Sequence, residues 1–250
     1  MNKLTKQRQE EISKKISPVA IAQRKELIGF TPIDSSIDVL EKLGYIIVKF
    51  PCKDKNLSGF CIKKSNYNCI YVNTNTTLGR QHFSMWHEYY HLYTGDGIGI
   101  SLENKRVYKE SEFKAHEFAS NFLMPINMIE EYIKQNSINL KYIKNIQIAQ
   151  MANYFKVSYI AMLYRLVKVF PVEGKDLSKR FKNAQDNEKV NEVYSNAKLE
   201  NKYDSITNDI YITKSFFDLI DENYKSGRIP EERLDYINEL LSNIEDTYNE

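Results

Sequence analysis

Glycine and proline are scarce in this chain, nine and six residues of 250, and apolar residues never run on for long. So few breakers exclude collagen-like and linker-dominated organisations and leave room for long helices. No segment approaches the roughly 18 consecutive apolar residues that span a bilayer. The opening Met1-Asn2-Lys3-Leu4-Thr5-Lys6-Gln7-Arg8-Gln9-Glu10 has no apolar stretch behind it, so no secretory signal is expected. These absences point to a soluble, cytoplasmic protein. Cys52, Cys61 and Cys69 are odd in number and lack CxxC spacing, which favours free thiols over a disulfide frame or a zinc knuckle. A dominant charge sign is also missing, since the formal net charge is +2. Charge is nevertheless uneven: residues 141–200 hold eleven Lys/Arg against six Asp/Glu, and residues 201–250 hold five against twelve. This pattern reads as solvated helix faces of opposite sign rather than as a nucleic-acid stripe.

What is present suffices for a core, with 42% hydrophobic residues and charges of both signs interspersed. The pattern predicts an α+β, mainly helical protein. Residues 1–30 read as N-terminal helices, with Ser17-Pro18 as the N-cap and first turn of a second one. A short helix over Asp34 to Leu43, closed by Gly44, leads into three extended segments, Tyr45 to Phe50, Gly59 to Lys63 and Cys69 to Val72. They predict a small meandering sheet of about three strands. A helix from about Thr77 to Tyr93 should stop at Thr94-Gly95-Asp96-Gly97. After a loop to about Val107, a second should cross Ser111 to Leu123 and end at Met124-Pro125. Everything beyond reads as helix, with Gly174 and the polar Lys182 to Asn187 as boundary candidates before a helical C-terminal region, 186–250. Its amphipathic helices are expected at about Ile206 to Lys225 and from Pro230 to about Asp246, and they suit a lid, a stabilising appendage or a docking module equally.

Histidine is the most informative scarcity. All four, His82, His87, His91 and His116, fall within the two helices around the expected loop. His87-Glu88-Tyr89-Tyr90-His91 places two imidazoles four apart on one helix face, close enough to share one metal ion, with Glu88 beside the first to hold a water. A zinc hydrolase site usually takes three protein ligands and a water, so one more ligand is needed. Glu110, Glu112, His116 and Glu117 are available in the second helix. Glu112 and His116 are themselves four apart, and spacing does not choose between them.

The second helix carries Glu112-Phe113-Lys114-Ala115-His116-Glu117-Phe118-Ala119-Ser120-Asn121-Phe122-Leu123-Met124-Pro125. Together with the HExxH helix it resembles the E-x-x-A-x-x-F-A-x-x-x-L-M-P pattern of the ImmA/IrrE metallopeptidases, and the resemblance runs from about Ile33 to Leu166. It implies a zincin-like core over residues 31–170, with His87, His91 and Glu112 as ligands of one Zn2+ and Glu88 as catalytic base. Ile70-Tyr71-Val72-Asn73 matches the family's strand ahead of the active helix. The sequence departs from the family pattern at Trp86, Tyr90 and His116. Trp86 and Tyr90 are expected to repack the helix rather than narrow the cleft, and His116 to lie near the metal without binding it. The oxyanion donor stays open among Tyr89, Tyr90, His82 and His116. A peptide could add a strand beside Cys69 to Val72 if that strand is an edge; it could equally be central.

Residues 147–166 resemble a helix-turn-helix, but Tyr159, Ile160, Met162, Leu163 and Tyr164 are poor base readers and Lys156 occupies a turn position comfortable for glycine. Packing beside the peptidase core is the expected role. The resemblance implies site-specific zinc-dependent cleavage of a protein partner, a transcriptional repressor or antitoxin-like regulator in a bacterial, phage or mobile-element circuit. A non-cleaving regulator that keeps the metal for sensing or stability is the alternative, and a DNA-binding regulator is a weaker third.

Overall fold

Two helices, α1 (Lys6–Leu27) and α2 (Ser36–Lys42), precede strands β1 (Tyr45–Phe50), β2 (Leu57–Lys64) and β3 (Tyr67–Asn73). Then follow α3 (Leu78–Thr94), β4 (Ile100–Leu102), α4 (Glu110–Leu123) and α5 (Ile126–Gln135). Five more helices are α6 (Asn145–Phe155), α7 (Tyr159–Val169), α8 (Pro171–Leu177), α9 (Phe181–Ala184) and α10 (Asn187–Ala197). The chain closes with β5 (Tyr211–Ile212), α11 (Lys214–Lys225) and α12 (Glu231–Asn249). This computed structural model describes residues 4–54, 56–96, 100–102 and 110–249, so most of the expected loop to Val107 lies outside the described residues. The α+β, mainly helical architecture is as expected. Among the described residues no helix is long and apolar enough to cross a membrane.

The expected break at Ser17-Pro18 is absent: α1 runs unbroken through Pro18. An interior proline costs about 3 kcal/mol of helix stability, and tertiary contacts along α1 outweigh it. Ile12, Ala20 and Arg24 are buried, the Ser17 hydroxyl donates to Asn121 Oδ1 at 2.8 Å, and Arg24 donates to the Phe122 carbonyl at 2.6 Å. Arg165 of α7 donates to the Met124 carbonyl at 2.9 Å and to Asn121 Oδ1 at 2.8 Å. Two buried guanidinium groups thus satisfy carbonyls at the carboxyl end of α4, where a helix leaves acceptors unpaired and favours positive charge.

The sheet has five described strands in the order β4-β2-β3-β1-β5. The three expected strands are its centre, but they do not meander. β2 and β3 form an antiparallel hairpin, whereas β1 pairs with β3 in parallel, Ile47 opposite Ile70. Asn73 fixes this crossing: its Oδ1 accepts from Cys52 N at 2.8 Å and its Nδ2 donates to the Leu57 carbonyl at 2.8 Å, pinning the β1–β2 connection over the end of β3. Because β3 is paired on both sides, it offers no edge to a peptide, and strand addition at Cys69 to Val72 is ruled out.

The expected helix start at Ile206 is also corrected, since residues 203–213 form a non-helical strap and α11 begins only at Lys214. The Tyr203 and Ser205 carbonyls accept from Gly79 N at 2.9 Å and Leu78 N at 3.0 Å. The Asp204 carboxylate accepts from Tyr159 N at 3.0 and 3.1 Å. The first turns of α3 and α7 carry amide donors without intrahelical partners, and the strap satisfies them. Farther on, Lys49 pairs with Asp209 at 2.9 Å, and Thr213 N donates to the Ile47 carbonyl at 2.9 Å. A helix from Ile206 would forfeit these contacts.

The core lies between the sheet (Ile47, Ile70, Val72), α3 (Met85, Trp86), α4 (Phe118, Phe122) and the α6–α7 pair (Ile148, Met151, Met162, Leu163, Leu166), all buried. The helix-turn-helix-like pair therefore spends its apolar faces on this core. Lys156 stands at its turn with φ +56, in the left-handed region, and its Nζ pairs with Asp34 at 3.0 Å.

Candidate metal centre

Helix α3 is delimited by local chemistry. The Thr77 side chain accepts from Arg80 N at its start, and Gly95 closes it in the left-handed conformation, donating to the His91 carbonyl. Its apolar positions seat it on β2 and β3, and one further face is left for His87 and His91. Helix α4 crosses α3 so that Glu112, in its first turn, meets both histidines.

His87 Nε2 lies 3.2 Å from His91 Nε2 and 3.2 Å from Glu112 Oε2, and His91 Nε2 lies 3.6 Å from Glu112 Oε1. One ion about 2.0–2.1 Å from each of three tetrahedrally placed donors would set those donors about 3.3–3.4 Å apart. The donor set and its spacing are thus compatible with a metal site open on one side. His91 is fully buried. Its Nδ1 faces the Asp96 carbonyl, which fixes the tautomer that leaves the Nε2 lone pair directed at the cluster. Burial holds the His87 imidazole below its ordinary pKa, against the opposing pull of Glu112, so it stays neutral and able to ligate.

Glu88 is buried in the seam between α3 and β2, its Cγ 3.7 Å from the position a Cβ would take at residue 59. Trp86 points the other way: it stacks on Phe122 with centroids 3.8 Å apart and donates from Nε1 to Ser36 Oγ at 3.0 Å. Tyr90 is buried against Phe118. Both therefore pack the helix.

Of the four oxyanion candidates, Tyr89 is committed to α1, donating to Gln23 Oε1 at 2.9 Å. His82 packs edge-on against Tyr203, on the strap side of α3. His116 stays beside the cluster without joining it, its ring 4.8 Å from Phe83, which lies 6.3 Å from the His87 ring. Sequence reasoning missed Arg80, whose guanidinium lies over Phe83 at 5.9 Å and whose charge acts on both His87 and His116. Its seven-residue separation from His87, two helical turns on the same face, was the signal available.

A second polar group surrounds the cluster. Arg8 of α1 holds Glu110 in a two-pronged contact, Nη2 to Oε1 at 2.7 Å and Nε to Oε2 at 3.1 Å, and keeps that carboxyl below the usual range. Lys114 Nζ stands 3.5 Å from Glu110 Oε1 and 3.3 Å from Asp96 Oδ2.

A small sheet carrying a helix with two histidines one turn apart, completed by a glutamate from the next helix, defines the class of metallopeptidase-like α+β proteins. Residues 40–167, just over half of the chain, match the family described as the IrrE N-terminal-like domain, Peptidase_M78, and the chain belongs to that family. No curated protein matches it.

Proposed function

We propose that this protein is a zinc-dependent, site-specific endopeptidase that cleaves a protein partner, a transcriptional repressor or antitoxin-like regulator. The observation that carries the reading is the tripod of His87, His91 and Glu112, with donor spacings near those of tetrahedral zinc, and Glu88 next to it in sequence. Family membership supports peptide-bond hydrolysis in general, and the partner's identity comes from the resemblance of the motifs. The cytoplasm is the compartment assigned here; the three free cysteines fit a reducing environment.

When bound by the tripod, zinc would supply Lewis acidity, polarising a carbonyl and bringing the pKa of a water to about 7. The chain's own residues do the rest. His87 presents a neutral lone pair, favoured by burial, and the Asp96 carbonyl holds the His91 ring so that its Nε2 faces the cluster. Glu112 contributes negative charge. Glu88 accepts the proton of the attacking water and returns it to the leaving amine, the two halves of general acid–base catalysis.

The test is incubation of the zinc-loaded protein and its Glu88→Gln form with regulators encoded beside its gene, with zinc content measured for both. The expected outcome is equal zinc content and cleavage by the unaltered chain alone. Cleavage surviving in Glu88→Gln would overturn the assignment of the base. A biological output that persists in Glu88→Gln without any cleavage would favour a binding role for the site.

A further inference from the structure

The two helices of the candidate metal centre are flanked by two acidic residues: Asp96 lies just after the end of α3, and Glu110 is the first residue of α4. Asp96 gives its backbone carbonyl to His91 Nδ1, and Glu110 lies two residues before Glu112 in the same first turn. One ammonium, Lys114 Nζ, spans both carboxylates, at 3.3 Å from Asp96 and 3.5 Å from Glu110. Arg8 grips Glu110 from the other side at 2.7 and 3.1 Å. A line of alternating charge, Arg8, Glu110, Lys114, Asp96, thus runs from the N-terminal helix to the carbonyl that orients His91.

We propose that Arg8 and Lys114 are positioning residues for the metal centre: together they clip the Asp96 turn to the first turn of α4, fixing His91 and Glu112 relative to one another. The inference rests on the tripod being a metal site. It assigns a part of that site to α1, which lies outside the family-matched residues 40–167.

An isolated exposed ion pair contributes little to global stability, because solvent screens it and two long side chains lose freedom. Global stability is therefore the wrong place to look for this clip. Its effect falls on the separation of two ligands, and groups that orient metal ligands typically change metal affinity by about 10–100-fold when removed. Both cations are partly exposed, 40% for Arg8 and 29% for Lys114, so salt should weaken the clip.

The experiment is titration of the full apo chain with Zn2+ against a competing chelator, at low and at high salt, for the unaltered protein and for Lys114→Met, Lys114→Arg and Arg8→Gln. Thermal midpoints of the apo forms are measured alongside. Lys114→Met and Arg8→Gln should each weaken zinc binding about tenfold at low salt, with apo midpoints almost unchanged. Lys114→Arg, which can still span two carboxylates, should regain most of that loss. Salt should weaken binding more in the unaltered protein than in Lys114→Met. Unchanged zinc affinity in both Lys114→Met and Arg8→Gln overturns the clip while leaving the tripod intact, as does a loss that tracks a fall in the apo midpoint and is not regained by arginine. Failure of the unaltered chain to bind zinc overturns the metal reading itself, and the clip with it.

Discussion

Replacing Gly79 with alanine sets helix propensity against packing, and the structure decides the sign. Alanine is favoured over glycine in a helix by about 1 kcal/mol, and residue 79 lies in the first turn of α3. A Cβ there would stand 2.4 Å from Ser158 N, 2.9 Å from the Tyr203 carbonyl oxygen and 3.0 Å from Val157 C. All three are backbone atoms, so no side chain can swing aside. The α6–α7 turn, the strap and α3 meet at this point, and one of them must move. Overpacking of this kind costs about 1–3 kcal/mol. Displacing the strap also weakens the bonds from Leu78 N and Gly79 N to the Ser205 and Tyr203 carbonyls, each worth about 1 kcal/mol net. After the propensity gain is offset, a net loss of about 3 kcal/mol remains, or a fall of roughly 6–12 °C in thermal midpoint for a chain of this size. Urea unfolding followed by far-UV circular dichroism at constant m-value measures it. A midpoint that is unchanged or raised in Gly79→Ala would mean that propensity wins and that the three backbones do not approach as described.

Two further outcomes follow from the strap side of α3. Burial, with the charge of Lys49 adding to it, pushes the His82 imidazole down to about 4 from an ordinary 6.5. Below the ordinary value the unfolded chain takes up a proton that the folded chain refuses, so this site should remove about 2 kcal/mol of stability between pH 7 and pH 5. His82→Gln should lose correspondingly less over that interval in urea titrations with chelator present, and equal losses in the two proteins would refute the argument. Truncation separates the strap from the terminal helices. A chain ending at residue 213 keeps the strap's contacts with α3, α7 and β1, loses α11 and α12, which bury no described residue, and should retain a cooperative thermal transition. A chain ending at residue 199 exposes the amide donors of Leu78, Gly79 and Tyr159 and should lose that transition; cooperative unfolding of the shorter chain would show the strap to be dispensable.

Local chemistry makes α3 and α4 legible in the sequence: Thr77 and Gly95 bracket one helix, Met124-Pro125 ends the other, and the i, i+4 histidines mark a face. The third member of the cluster was not readable from spacing, because Glu112 and His116 share a face of α4. Which of them meets His87 depends on where the two helices cross. The crossing brings the first turn of α4 to the cluster and leaves His116 one turn farther on, against Phe83. The sheet order was hidden for a similar reason. Strand composition encodes burial but not neighbours, and the connection that crosses the end of β3 is held by contacts composition does not announce: buried Asn73 on Cys52 N and the Leu57 carbonyl, Asn75 Nδ2 on the Cys52 carbonyl, and Thr74 N on the Phe50 carbonyl. Pro18 misled because its cost is local while the contacts that override it, Ser17 to Asn121 and Arg24 to Phe122, reach far along the chain.

The same asymmetry bears on what the flanking segments are for. Within residues 40–167 alone, α3 would start with the Leu78 and Gly79 amide donors deprived of the strap carbonyls, and α7 would start with Tyr159 N deprived of Asp204. The carboxyl end of α4 would keep Arg165 but lose Arg24 at the Phe122 carbonyl. Each of these groups would then be left to water or to an unpaired burial, and a buried polar group without a partner costs about 1–3 kcal/mol. The two helices that carry the tripod are thus finished at opposite ends by different flanks, the start of α3 by the C-terminal strap and the end of α4 by α1. An alteration in either flank, far from His87, His91 and Glu112 in sequence, should act on the candidate metal centre through the ends of the helices that hold it.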